Sequence, residues 1–250
     1  VSVAVEVAVQ DAPGARVALA AGADRVELCA GLAATGGLSP TPAAVAAVAD
    51  VGLPVHVLVR PRAGGFVHDD DERRLLVAEV RDALAAGATG VVVGALTAGG
   101  AVDEPAVAAL VAAADGAPVT FHRALDVVVD REDALERLVG LGVARVLTSG
   151  GAPRAGDGVD ALSALVRAAA GRIEVMAGGG VVPRDVPRLL AAGVDAVHLS
   201  ARGQAEDRGP VGPGGGAGGG RDVTDGSAVG AVVELARAYR RGGTAGGGWP

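Results

Sequence analysis

The side chains in this sequence able to do chemistry together are two carboxylates, Glu6 and Glu27, one imidazole, His122, and four guanidiniums, Arg60, Arg62, Arg123 and Arg202. A carboxylate or imidazole tuned toward neutrality moves protons, and guanidinium groups hold phosphate or carboxylate through paired N–H donors. The combination is that of an acid/base site with an anion clamp, which Asp126, Ser149 and Ser200 can join. The Gly178-Gly179-Gly180 run and Ser200-Ala201-Arg202 offer bare backbone N–H groups of the kind that receive phosphate; the other reading of the triple glycine is a tight turn with no ligand. Cys29 and Met176 are soft sulfur donors of the type Cu(I) prefers, and equally ordinary buried apolar residues. Any one Glu or Arg of the set also reads as half of a structural ion pair, and His122 as a core histidine bonded to a glutamate. His56 and His198 read as structural, and His68, beside Asp69, Asp70 and Asp71, as a solvated helix start.

These residues are distributed over eight short Val/Leu/Ile-rich runs: 3–9, 25–29, 54–60, 91–95, 118–122, 143–148, 172–177 and 196–200. Most are followed by an Ala/Leu-rich helical stretch, among them 13–21, 70–86, 131–141 and 227–240, and one that starts at Pro42 with Thr41 as its cap. The joint Ala-Gly-Ala/Val-Asp recurs at Ala21–Asp24 and Ala192–Asp195, with relatives at Ala86–Thr89 and Leu141–Ala144, where Gly ends a helix and returns the chain to a strand. Eight β/α units predict an α/β fold, a single (β/α)8 TIM barrel over residues 1–241. Strand alternation then points Glu6, Glu27, Cys29, His56, Arg60, Thr120, His122, Glu174, Met176, His198 and Ser200 into the barrel, and Val7, Val26, Leu28, Val57, Val59, Phe121, Val197 and Leu199 toward the helices. The Gly/Pro-rich stretch 203–221 is expected to be a long loop, able to close over the barrel mouth, and 242–250 a disordered tail.

Composition narrows the function. A net charge of −7 without a basic block argues against nucleic acid. No apolar stretch reaches the roughly 20 residues of a membrane span and no basic leader opens the sequence, so a cytoplasmic protein is expected. The sequence has no lysine, which excludes Schiff-base chemistry and lysine-anchored pyridoxal phosphate. Its single cysteine cannot form an internal disulfide. A homo-oligomer is compatible with the sequence, but the oligomeric state is not readable from it, because the outer helices are Ala-rich everywhere and mark no distinct interface.

Several segments together resemble the copper homeostasis CutC family: Glu6-Val7, Ala23 to Cys29, Gly36 to Pro40, Val55 to Arg62 with Gly64-Gly65-Phe66, Val93 to Thr97, Pro118 to Asp126, Leu147 to Gly151, Met176 to Gly180 and His198 to Arg202. The resemblance implies a cytosolic barrel linked by name to copper tolerance, with Cu(I) as a cofactor or cargo on Cys29 and Met176. Two positions depart from the family pattern: Ala8 stands where the family carries a cysteine on the first strand, and Ala177 where it carries a proline. Two functions follow, a copper-handling protein centred on Cys29, or an enzyme using Glu6, Glu27 or His122 as acid/base on a small phosphorylated or carboxylated metabolite.

Overall fold

The computed structural model describes residues 3–206 and 220–242. Eight parallel strands close in sequence order into a barrel: β1 (Ala4–Val9), β2 (Arg25–Leu28), β3 (Val55–Leu58), β4 (Gly90–Val93), β5 (Val119–Phe121), β6 (Arg145–Thr148), β7 (Glu174–Gly178) and β8 (Ala196–Leu199). Helices α1 (Ala12–Ala20), α2 (Leu32–Thr35), α3 (Pro42–Ala49), α4 (Asp70–Ala85), α5 (Glu104–Ala113), α6 (Arg131–Gly140), α7 (Val159–Ala169), α8 (Val186–Ala191) and α9 (Gly226–Gly242) follow the strands. The expected α/β TIM barrel is therefore the fold. Among the described residues no helix is long and apolar enough to cross a membrane.

The elements form where local chemistry directs them. Thr41 caps α3 with Pro42 in its first turn, as expected, and Asp69 and Glu72 close a reciprocal capping box on α4. The repeated joint has a second use. Gly22 and Gly193 take positive φ (84° and 87°), and the aspartates two residues on, Asp24 and Asp195, accept the backbone N–H of Val5 and Val175 at 2.7 and 2.8 Å. Each joint thus reverses the chain and fastens a strand to its neighbour. The outward set Val7, Val26, Leu28, Val57, Val59, Phe121, Val197 and Leu199 is fully enclosed in the apolar layer between sheet and helices. Burying each such side chain contributes roughly 1.5–3 kcal/mol.

Two expectations change. The ends of the 203–221 stretch are not loop: β9 (Arg202–Glu206) and β10 (Gly220–Thr224) pair as an antiparallel ribbon, with Thr224 opposite Arg202. Residues 207–219 and the tail 243–250 lie outside the described residues. His68 is buried, with Nδ1 3.5 Å from the Glu72 carboxylate, because it directly precedes the cap of α4, a position that packs back against the helix's first turn.

Candidate functional site

Register brings charged groups together inside the barrel. Glu6 lies opposite His198 on one side and Arg25 on the other, and Ala8 lies opposite Glu27. The Glu6 carboxylate accepts from His198 Nδ1 at 2.7 Å and from Arg25 Nε, and His56 Nδ1 stands 3.7 Å away. On its far side His198 Nε2 is 3.5 Å from Glu27 Oε2. The result is a buried chain, Arg25–Glu6–His198–Glu27, running from the barrel interior up to its mouth. Below it Arg145 reaches Glu174 (2.6 Å) and Thr120 (3.1 Å) near the opposite end.

Burial and pairing divide the protons among these groups. Burial alone would raise Glu6, but the His198 hydrogen bond and the Arg25 charge hold its carboxyl well below the usual carboxylate range. Burial disfavours the imidazolium of His198, yet the Glu6 hydrogen bond and the Glu27 charge raise its pKa. Glu27 has no such compensation: burial, offset in part by His198, pushes it up to about 7. His56 is pushed down to about 4, chiefly by burial, and stays neutral. The interior therefore offers one fixed anion and one carboxyl poised at neutrality, and the second faces open space.

That space is a cavity of about 410 Å³ at the C-terminal end of the strands, with Glu27 and His198 in its floor and Ala8, Leu58, Phe66, His122, Arg60, Arg123, Gly179, Ser200 and Arg202 among its walls. Arg60 donates to the carbonyls of Thr35 and Gly37 (both 3.0 Å) and of Gly64 (2.9 Å), so it ties two loops together while no carboxylate neutralises it among the described residues. Its Nε is buried without a partner among the described residues, and its guanidinium lies 5.5 Å from the Phe66 ring centre. Arg123 donates to Asp126 (2.7 Å) and Ser149 (3.1 Å) and lies across Gly179. A Cβ at position 179 would be 2.9 Å from the Arg123 Cζ, and the residue's φ is 109°, so glycine is required there.

His122 is buried in the wall. Its Nδ1 accepts from the Ala124 N–H at 3.1 Å, its ring tilts against Phe66 at 4.8 Å, and no glutamate bonds to it among the described residues. Gly94 leaves the ring its seat, since a Cβ there would lie 2.1 Å from Cε1. Burial, reinforced by Arg60, pushes His122 down to about 3, so the ring is neutral at physiological pH.

The structure thus gathers Glu27, His122, Arg60, Arg123, Gly179, Ser200 and Arg202 at one mouth, with Glu6 one step beneath. It does not gather the rest. Arg62 pairs with Glu72 and holds the Gly65 and Val67 carbonyls, fastening the loop before α4 outside the cavity. Asp126 and Ser149 are spent on each other and on the chain after β6: Asp126 accepts from Thr148 Oγ1 (2.5 Å), the Ser149 N–H (2.9 Å) and the Gly151 N–H (3.1 Å). Gly178 packs against Leu147 and His198, and the Gly180 carbonyl accepts from Arg154. His198, read from sequence as structural, is in the floor, and Arg25 completes the buried chain; strand alternation with Glu27 was a signal for Arg25. Glu174, expected inside, is half exposed at the lower end while still reaching Arg145.

The soft donors do not share a site. Cys29 packs with Leu58, Val92 and Leu32, and Met176 in a separate cluster with Leu147 and Ala196, where its sulfur accepts from Arg25 at 3.2 Å. Burial, then the Glu27 charge, raises the Cys29 thiol far above its ordinary pKa, which works against the thiolate that Cu(I) requires. No group of three or more His, Cys, Asp and Glu side chains able to hold a metal occurs among the described residues.

Comparison with known proteins agrees with this architecture. A protein named CutC from Agrobacterium fabrum is 41% identical over 243 residues, covering 95% of this chain and 96% of its own. One of the same name from Xanthomonas campestris pv. campestris is 45% identical over 200 residues, 79% of this chain and 83% of its own. A solved Streptococcus agalactiae structure, provisionally named copper homeostasis protein CutC, superposes with a TM-score of 0.73 at 31% identity, covering 78% of this chain and 97% of its own. The sequence profile of the CutC family matches residues 3–203, and the chain belongs to that family.

Proposed function

We propose that this CutC-family barrel is an enzyme that performs acid/base chemistry on a small anionic metabolite bound at the mouth. The observation that carries the reading is the Glu27 carboxyl in the floor of a cavity of about 410 Å³ walled by Arg60, Arg123 and Arg202. A carboxyl titrating near 7 exchanges protons with little driving force lost in either direction. Guanidiniums above it, two of them, Arg60 and Arg202, without a carboxylate partner among the described residues, favour a phosphate or carboxylate arm on the ligand. Arg123 is oriented by Asp126 and Ser149, so its position is set before any ligand arrives. The reading fits a cytoplasmic enzyme, where a lone thiol stays reduced.

Copper homeostasis, the role in the Streptococcus agalactiae protein's name, supports a second reading in which Cu(I) binds at Cys29. Geometry lends it less: Met176 lies elsewhere, Ala8 supplies no second thiol beside the mouth, and the Cys29 thiol holds its proton.

The two readings separate in one comparison of wild type with Arg123→Ala, Arg202→Ala and Cys29→Ala. Calorimetric titration with 2-phosphoglycolate is expected to give saturable binding, weakened about tenfold, roughly 1.4 kcal/mol, by each arginine change and untouched by Cys29→Ala. An anaerobic Cu(I) competition is expected to show no stoichiometric tight site. Tight Cu(I) binding lost in Cys29→Ala, with no binding of the phosphorylated probe, would replace the enzyme reading with the copper one.

A further inference from the structure

The acid/base reading leaves open which bond the chemistry breaks, and the two walls of the mouth bear on that question. His122 has a fixed tautomer. Because its Nδ1 accepts the Ala124 N–H, the ring proton sits on Nε2. That Nε2–H has no hydrogen-bond partner among the described residues, in a side chain that helps line the cavity. Phe66 on one side and the bare Gly94 on the other hold the ring in place. The neutrality of the ring matters: an imidazolium would give its proton away, whereas a neutral N–H only polarises the group it touches.

Glu27 enters the same cavity from β2, three strands round the barrel from β5, which leads into His122. Among the described residues its carboxyl has one close polar neighbour, His198 Nε2 at 3.5 Å, which in turn is anchored through Nδ1 to Glu6 at 2.7 Å. One carboxylate oxygen thus faces a tethered imidazole and the other is left for a ligand. A base on one wall and a fixed neutral donor on another, with guanidiniums above, is an arrangement for removing a proton from carbon beside a carbonyl group.

Resting on the acid/base reading above, we infer that the mouth enolises a small carbonyl compound with an anionic arm, with Glu27 taking the carbon-bound proton and His122 Nε2–H holding the carbonyl oxygen. In the step the C–H bond pair becomes the new C=C bond, the carbonyl π pair moves onto oxygen, and the proton rests on Glu27. Exchange of the Glu27 proton with solvent before a proton is returned to the same carbon gives solvent exchange at that carbon; in an α-hydroxy carbonyl compound, return to the former carbonyl carbon, with proton transfer between the oxygens, gives an isomer. No oxidant, reductant or co-reactant is needed. His198 is a positioning residue in this scheme, tethered by Glu6 so that it steers the carboxyl without touching the ligand.

Two measurements decide the matter. The first is the 15N spectrum of histidine-labelled protein across pH 5 to 8. A neutral, Nε2-protonated His122 throughout is expected, and an Nδ1–H tautomer or titration near 6.5 would overturn the assignment of the donor. The second is loss of carbon-bound hydrogen from dihydroxyacetone phosphate in D2O, followed by proton NMR. Wild type is expected to catalyse exchange, Glu27→Gln to lose it about 100-fold or more, and His122→Gln about 10- to 100-fold, while both still bind 2-phosphoglycolate. His198→Gln is expected to retain binding but displace the pH midpoint of exchange, a change that a purely structural residue would not produce. Binding of 2-phosphoglycolate without any exchange would overturn enolisation and leave the anion-site reading standing. Absence of binding in wild type would bring down that reading as well.

Discussion

At the scale of single residues, two glutamates about one strand apart carry opposite proton affinities. Glu27 is raised to about 7, above its ordinary 4.5, so the folded chain keeps a proton that the unfolded chain releases. The stability from the protonated form is complete below about pH 4.5 and is lost as pH rises through about 7. His56 and His122, both held low, add stability as pH rises over the same interval, so the Glu27 contribution is read as the difference in melting temperature between wild type and Glu27→Gln, which is expected to fall from pH 5 to pH 8 in thermal denaturation. A difference between wild type and Glu27→Gln that stays level over that interval would contradict the raised carboxyl. Glu6 is the reverse case, held low after His198 and Arg25 outweigh its burial, so its contribution is present above pH 4.5 and lost toward acid. Glu6→Gln leaves Arg25 and His198 without their shared anion inside the barrel, and urea unfolding at pH 7 is expected to show a loss of about 3–5 kcal/mol.

At the scale of elements, the loops after β5, β6 and β7 act as one support for Arg123. Gly179→Ala places a Cβ 2.9 Å from the Arg123 Cζ at a φ of 109°, so it is expected to displace the guanidinium and weaken 2-phosphoglycolate binding about tenfold with little change in overall fold, seen by calorimetry and circular dichroism. Asp126→Ala removes the acceptor for the Ser149 and Gly151 N–H groups together, and about 3 kcal/mol of destabilisation is expected in chemical denaturation. The inward direction of Glu6, Glu27 and His122 was legible because each stands beside outward apolar residues in the strand pattern, Glu6 between Val5 and Val7, Glu27 between Val26 and Leu28, and His122 after Phe121. Less was legible where contacts are non-local. Nothing in the short-range pattern of Arg202 to Glu206 calls for a strand, since its partner Gly220 to Thr224 lies beyond a Gly/Pro run. His198 looked structural for a related reason: its place in the floor depends on Glu6, 192 residues away in sequence, and on Gly178, which leaves room beside its ring.

At the scale of the whole molecule, the single cysteine of a 250-residue chain becomes a reporter on the site. Cys29 has no exposed surface, and Gly37 packs against its Cβ and Sγ, where an added methyl would lie 3.4 and 3.5 Å away. The Gly37 carbonyl is in turn held by Arg60, which also holds Thr35 and Gly64 and helps wall the mouth. A reagent reaches the thiol only when this loop lets go or the barrel unfolds, so its rate measures opening of the structure that forms the site. A ligand that binds only the closed mouth shifts that equilibrium by mass action, by about 2.7 kcal/mol at a concentration of 100 Kd. Labelling of Cys29 by a thiol-specific chromogenic reagent is accordingly expected to slow about 100-fold when 2-phosphoglycolate reaches that level, and only about tenfold in Arg123→Ala at the same concentration. A rate indifferent to the anion would mean that Cys29 is uncovered without disturbing the mouth, and that the thiol can reach a soft metal ion independently of the arginine-walled cavity.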